Sequence, residues 1–195
     1  MSFVSDYLKA IPGGLDAYPD YLAKASAYRT FIEGLPEERL LAALPEPLKP
    51  LITDPEPVTA WIPEVHSNVV FLTATDAILG SEAAFYAHYE QMNQRLLSGP
   101  LYRVLMMVAS PSIVVRGAAS RWASFHRGVT LKAESQGSNA ADVVLAWPKG
   151  LFNRVIAEGY TRAFVVALRL AGAKDTTMEV TRFSDTGAEY RGTWR

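Results

Sequence analysis

The sequence predicts an α+β domain in which N-terminal helices precede a ββαββ unit that forms a four-stranded antiparallel sheet. Apolar residues recur at helical spacing between capping residues from position 63 to position 128. Residues 129–147 and 177–194 instead alternate apolar and polar side chains, as half-buried strands do. The chain has 195 residues, of which 49% are hydrophobic, and this is enough for one domain with a full core. A run of helices followed by hairpins is typical of the α+β class.

The first 62 residues are predicted to be a helical and proline-rich segment packed on an α+β domain of residues 63–195. Residues 19–33 predict a helix, with a proline near its first turn and a glycine just after its end. Six prolines between positions 45 and 63 exclude one long helix there and favour extended chain around a short turn at Leu48 to Ile52. We interpret this stretch as a rigid connector on the domain surface, and a proline-motif ligand is the alternative.

Four helices are predicted before the first strand of the sheet. The first covers residues 63–80 and the second residues 81–99, with Ser81 as an N-cap and a glycine closing each helix. A third helix is predicted over residues 100–109. A Ser-Pro pair is a typical helix start and predicts a fourth helix over residues 110–128.

The last third of the chain predicts two β-hairpins with a long helix between them. Residues 129–134 and 141–147 alternate around a polar turn and form the first hairpin. A mainly apolar helix follows over residues 151–172. Residues 177–194 form the second hairpin, which turns at an Asp-Thr-Gly sequence. Together the two hairpins supply the four strands of the sheet.

Gly159 is unusual because it lies in the middle of this long helix. Glycine there costs about 1 kcal/mol relative to alanine, so its presence indicates that another group approaches the helix closely. A sheet strand, a bound apolar ligand and a second subunit are the candidates, and we favour packing on the sheet.

The charge distribution does not predict nucleic-acid binding. Residues 1–100 carry 13 acids and 6 bases, whereas residues 101–195 carry 7 acids and 13 bases, so the net charge is only −1. The bases of the second half are spread singly through the predicted elements, without the clustered stripe that a nucleic-acid surface needs. We expect them to lie on a solvated surface.

Composition also bears on location and on metal chemistry. The chain has no cysteine, which removes disulfides, thiolate metal sites and cysteine nucleophiles. No apolar run is long enough for a membrane span, and Asp6 and Lys9 interrupt the region where a signal peptide would be apolar. A cytoplasmic protein is therefore expected.

No motif in the chain indicates catalysis. The three histidines, His66, His88 and His126, do not have the spacing of a metal site. Nucleophile elbows, phosphate loops and dinucleotide-binding glycine patterns are also absent from the sequence. Two carboxylates can still meet in a fold without a sequence signature, so enzyme activity stays open while a non-catalytic role is favoured.

Three features carry a resemblance: Trp61-Ile62-Pro63 at the start of the helical hairpin, the long helix with Gly159, and the terminal hairpin. In this order of elements the chain resembles an uncharacterised myxobacterial family of similar length. That family is similar in layout to the ligand-binding superfamily that contains heme–nitric oxide domains, vinyl-reductase-type sensor domains and a vesicle-tethering subunit. The heme branch uses a proximal histidine and a Tyr-x-Ser-x-Arg motif, which this sequence lacks. The sensor branch often builds metal sites from cysteines, which this sequence does not contain. Neither heme nor zinc is therefore carried over from the resemblance, and no cofactor is predicted.

The resemblance implies a cavity between the helices and the sheet. Aromatic side chains of the predicted helices could line such a cavity or fill a core in its place. The candidate ligand-binding residues are Trp122, Phe125, His126, Phe152, Gly159 and Phe164.

We therefore predict a non-catalytic domain that binds or senses a small apolar ligand in signalling. The alternative is a protein-interaction or scaffold module without a small-molecule ligand. An enclosed apolar pocket with a few polar groups, such as His126 or Arg121, would indicate a sensor, whereas a filled core with a large exposed apolar patch would indicate an interaction module. A homodimer or another protein partner is compatible with both, and neither nucleic acid nor a membrane span is expected.

Overall fold

The structure, a computed structural model, describes residues 2–100, 102–106 and 110–195. It confirms the predicted α+β class, with helices that precede a four-stranded antiparallel sheet. The α-helices are α1 (Phe3–Ala10), α2 (Ala25–Ile32), α3 (Glu37–Ala43), α4 (Pro50–Thr53), α5 (Glu64–Ala74), α6 (Glu82–Ser98), α7 (Arg103–Met106), α8 (Pro111–Arg116), α9 (Ala118–Trp122) and α10 (Arg154–Leu170). The strands are β1 (Leu22–Lys24), β2 (Trp61–Pro63), β3 (His126–Arg127), β4 (Thr130–Ser135), β5 (Ala140–Ala146), β6 (Thr177–Ser184) and β7 (Gly187–Thr193).

The two predicted hairpins join into one antiparallel sheet of order β4-β5-β7-β6. Strands β5 and β7 pair in the middle, with Val143 opposite Tyr190. Helix α10 packs against β6 of this sheet, and the Tyr190 hydroxyl donates a hydrogen bond of 3.1 Å to the carbonyl of Ala157 in α10. The sheet and α10 therefore form two layers packed against each other, as the ββαββ pattern predicts.

Helix α5 is the central helix of the fold. Ten of its eleven residues are buried, so its polar side chains need partners inside the protein. A π-helical turn at Thr75–Leu79 continues α5 to Gly80, and the Ser81 side chain then caps α6 by accepting a hydrogen bond of 3.2 Å from the Ala84 amide. The predicted helical hairpin of residues 63–99 is thus confirmed, with its cap.

A second, three-stranded sheet was not predicted from the sequence. Strand β1 lies between β2 and β3 and pairs antiparallel with both, with Ala23 opposite Ile62 on one side and His126 on the other. The predicted helix over residues 19–33 is therefore wrong in its first part, since α2 begins at Ala25. These strands have three residues or fewer, too few for alternation to be detectable. The division of the chain at residue 62 stays a prediction.

The helices after α6 are shorter than predicted. The predicted fourth helix over residues 110–128 is two helices, α8 and α9, which meet at Gly117 and end at Trp122. The chain then turns so that His126 enters β3. Of the predicted third helix, residues 103–106 are helical, and residues 101 and 107–109 lie outside the described part of the chain.

The close approach predicted at Gly159 comes from α6 and not from the sheet. A Cβ atom at this position would lie 3.0 Å from Cε1 of Phe85 and 3.6 Å from Cδ1 of Tyr89. Phe85 is fully buried and has ring contacts with Phe31, Tyr86 and Tyr89. The glycine therefore sets the distance between α6 and α10, the helices on two sides of the cavity described below.

We expect Gly159→Ala to lower the free energy of unfolding by about 1 kcal/mol, because overpacking against Phe85 outweighs the gain in helix propensity. Urea denaturation of the wild type and the variant measures the difference. In a Phe85→Leu background the same substitution should lose this penalty. An alanine that stabilises the wild-type background would contradict the tight packing.

Candidate functional site

A cavity of about 130 Å³ lies where α5, α6, α9 and α10 meet, and it also touches both sheets. Most of its lining is aliphatic or aromatic. The polar lining residues are Glu64, Ser67, Asn93, Arg121 and His126. An apolar cavity with a few converging polar groups has the general composition of a small-molecule site.

Helical periodicity brings the lining residues together. Helix α5 contributes Glu64, Ser67 and Phe71, which are spaced by three and four residues and so share one face. Helix α10 contributes Tyr160 and Phe164 in the same way, with small alanines between and beyond them. The cavity is thus formed by faces of helices that the apolar pattern already requires to be buried.

Glu64 and His126 form a buried pair at the cavity. Glu64 Oε2 accepts a hydrogen bond of 2.9 Å from Nδ1 of His126, and the two side chains are 1% and 11% exposed. Glu64 is in the first turn of α5, where the helix dipole favours negative charge, and its amide donates to the carbonyl of Tyr21. The helix end and the imidazole together offset the cost of burying the carboxylate.

Trp122 holds the imidazole of His126 in place. The two rings stack with their centroids 3.9 Å apart and their planes at 17°. The indole Nε1 of Trp122 donates a hydrogen bond of 3.2 Å to the carbonyl of Val129, at the start of the first hairpin. Tyr160 approaches the indole edge-on at 5.1 Å. One aromatic wall of the cavity is therefore built from three elements: α9 at its last residue, β3 and α10.

Ser67 is a lining residue of the cavity, and its buried hydroxyl lacks a hydrogen-bond partner among the described residues. Its side chain is 1% exposed, and no described protein atom bonds its Oγ. The neighbouring Asn68 points to other groups, since its Nδ2 donates to Tyr7 Oη at 3.2 Å and to the Leu151 carbonyl at 3.0 Å. A serine in a helix commonly bonds the carbonyl four residues earlier, and Ser67 does not. Leaving a buried hydroxyl unpaired costs about 1–3 kcal/mol.

The tyrosines beside the cavity stay neutral phenols. Burial raises the pKa of Tyr160 well above its usual value, and the negative charge of Glu64 raises it further. The same two causes raise the pKa of Tyr89. Neither side chain can supply a phenolate near neutral pH, so both tyrosines offer only neutral hydroxyl groups beside the cavity.

The structure brings four of the six candidate residues to the cavity wall: Trp122, Phe125, His126 and Phe164. Phe152 does not line it and packs behind His126, with the ring centroids 6.5 Å apart. Gly159 faces Phe85, as described above. That these six residues bind a ligand stays a prediction.

Sequence reasoning missed Glu64 and Ser67. Both are polar residues that line the cavity from a helix buried almost throughout its length. Arg121, which was expected as a polar group of a pocket, does line the cavity, and its guanidinium donates to the carbonyl of Ile113 at 3.3 Å. Polar residues spaced three apart inside an apolar run are the signal that could have found Glu64 and Ser67.

Comparison with known proteins shows the fold. No protein-family model and no curated protein matches the chain. Among solved structures, the Fe(II) unliganded H-NOX protein from K. algicida superimposes with a TM-score of 0.63 and 8% identity, covering 88% of this chain and 96% of that one. An oxygen-binding H-NOX domain related to soluble guanylate cyclases, in its oxygen complex, has a TM-score of 0.58 and 9% sequence identity, and the match covers 87% of this chain and 92% of that one. A structure from work on heme distortion in the H-NOX family has a TM-score of 0.60 and 7% sequence identity, and the match covers 88% of this chain and 92% of that one. The chain has an H-NOX-like fold.

Heme is the cofactor that these neighbours imply, and the residues present do not fit it. The cavity volume of about 130 Å³ corresponds to one aromatic ring and not to a porphyrin. The Tyr-x-Ser-x-Arg motif is absent from the sequence. We therefore derive no heme chemistry for this chain.

We expect Glu64→Leu to lower the free energy of unfolding by about 2–3 kcal/mol, because the buried imidazole of His126 loses its partner. Glu64→Gln should cost less, since the amide oxygen can still accept the hydrogen bond. Urea denaturation measures both. The matched control is Glu189→Gln, which breaks an exposed ion pair with Arg182 and should change stability by less than about 0.5 kcal/mol. Equal losses for Glu64→Leu and the control would contradict the role of the pair.

Proposed function

We infer that this chain is a non-catalytic domain that binds a small apolar molecule in the cavity between α5, α6, α9 and α10. The cavity carries the proposal: it has about 130 Å³ of space, a mainly apolar lining, and a polar side formed by Glu64, His126 and Ser67. An engineered protein cavity of about 150 Å³ takes up benzene. A ligand of about one ring would therefore fill the space.

A sensory role in signalling is the second part of the proposal. It is supported by analogy with the H-NOX structures, one of which is described as oxygen-binding and related to soluble guanylate cyclases. In this reading Trp122, Phe125, His126 and Phe164 contact the ligand. Phe152 and Gly159 act behind them by fixing the positions of His126 and α6.

Family, location and assembly belong to the same proposal. The order of elements that carries the resemblance supports membership of the myxobacterial family. Among the helices of the described residues, none has the length and apolarity of a membrane span. We propose a cytoplasmic location and, for a sensor that passes on a signal, a homodimer or another protein partner.

The protein-interaction or scaffold module stays the alternative. Its expected mark is a large exposed apolar patch. In the part of the chain that the structure describes, the exposed large hydrophobic residues are Val58, Val104, Ile113 and Val144. Val58 lies in the loop between α4 and β2, and the other three lie on three different elements. No particular observation favours this alternative over the cavity.

Benzene is a suitable probe of the cavity, and two adjacent alanines give a matched pair of variants. Ala118 lines the cavity, whereas its neighbour Ala119 is exposed on the same helix. We expect saturating benzene to raise the Tm of the wild type and of Ala119→Phe, because a ligand that binds only the folded state stabilises it. Ala118→Phe, which places a ring in the cavity, should show no such rise.

Differential scanning calorimetry with and without benzene measures these shifts, and native mass spectrometry of the purified protein complements them. Extra mass that disappears on denaturation would identify a ligand that co-purifies. An unchanged wild-type Tm together with a clean native mass would refute the proposed function.

A further inference from the structure

Ser67 gives a chemical clue to the ligand that the apolar lining does not. Its hydroxyl is buried at the cavity wall and has no hydrogen-bond partner among the described residues. Buried polar groups in proteins are nearly always paired, and an exception asks for a missing partner. A hydroxyl both donates and accepts hydrogen bonds, so its partner can be of either kind.

The second clue is the state of the charged groups at the same wall. Glu64 is bonded to His126 at 2.9 Å, and the pair is almost completely buried. The other charged lining residue, Arg121, is half-buried, and its guanidinium donates to the carbonyl of Ile113 at 3.3 Å. An anionic ligand beside the buried Glu64 would still meet its carboxylate in a site of low dielectric constant, where repulsion between like charges is strong. A cationic ligand would compete with His126 for a carboxylate that is already paired. Both arguments favour a neutral ligand.

Size is the third constraint. A cavity of about 130 Å³ is close to the engineered cavity of about 150 Å³ that takes up benzene. Aromatic side chains such as Trp122, Tyr160 and Phe164 line it, and rings prefer offset or edge-to-face contact with other rings. One aromatic ring with one small substituent matches this space.

We propose that the cavity takes a neutral phenol-sized molecule, one ring with one hydroxyl, whose hydroxyl pairs with Ser67 Oγ. This inference rests on the proposed function and specifies the ligand class of the same cavity. The ligand hydroxyl can accept from Ser67 while it donates to a second group of the polar wall, such as the carboxylate of Glu64. No covalent step is involved.

The test compares the binding of phenol and of benzene by isothermal titration calorimetry. The full chain is used, and equal native and denatured masses first show that it carries no co-purified ligand. Phenol should bind the wild type about tenfold more tightly than benzene, which is the gain expected from one well-formed hydrogen bond. In Ser67→Ala the two affinities should become equal. Because the substitution removes an unpaired buried hydroxyl, the variant should not unfold more easily than the wild type.

Thr73→Val is the matched control. Thr73 lies on the same helix, is equally buried and also has a hydroxyl without a partner in the described part of the chain, but it does not line the cavity. Removing that hydroxyl should leave the preference for phenol unchanged. A loss of the preference in Thr73→Val as well would overturn the assignment to Ser67.

Three other outcomes separate the failure of this inference from the failure of the proposed function. Equal binding of benzene and phenol to the wild type overturns the role of Ser67 and leaves the cavity as a ligand site. Tighter binding of tetramethylammonium than of phenol overturns the neutral ligand and likewise leaves the site. If no probe binds, both the inference and the proposed function fail.

Discussion

The hydrogen bond between Glu64 and His126 is the interaction on which the arrangement of the other parts depends. Glu64 begins the central helix directly after β2, and His126 lies in β3, so the bond ties the start of α5 to the far edge of the small sheet. A buried carboxylate is stable only with partners, and here these are the first turn of a helix and an imidazole. The same pair forms the polar end of the cavity, and the stacked Trp122 connects it to α9.

Local sequence signals predict much of the fold. The capped helix that begins after Ser81, the long helix around Gly159 and both β-hairpins follow from residues close together in the chain. The small sheet does not, because β1 and β3 pair across positions 23 and 126, and neither strand is long enough to show a pattern. The tertiary pairing of Leu22–Lys24 with its two neighbours outweighs the helical signal of residues 19–33.

The candidate site divides in the same way. Aromatic residues such as Trp122 and Phe164 could be chosen from the sequence because large apolar side chains on helices face the interior. The polar residues of the cavity could not be chosen from the sequence. Glu64 and Ser67 look like the polar residues of an ordinary helix start, and only the structure shows that α5 is buried almost throughout. Gly159 illustrates both cases: its spacing role was predictable, whereas its neighbour Phe85, 74 positions earlier in the chain, was not.

The position of β1 between β2 and β3 has a consequence for folding kinetics. Residues 23 and 126 are 103 positions apart, whereas the first hairpin pairs Ser135 with Ala141, only six positions away. Loop closure over the longer distance costs about 2.5 kcal/mol more in chain entropy, so the hairpins can form early and the small sheet closes late. Since His126 lies in β3 and Glu64 directly follows β2, we expect the polar end of the cavity to form together with the small sheet, after the hairpins.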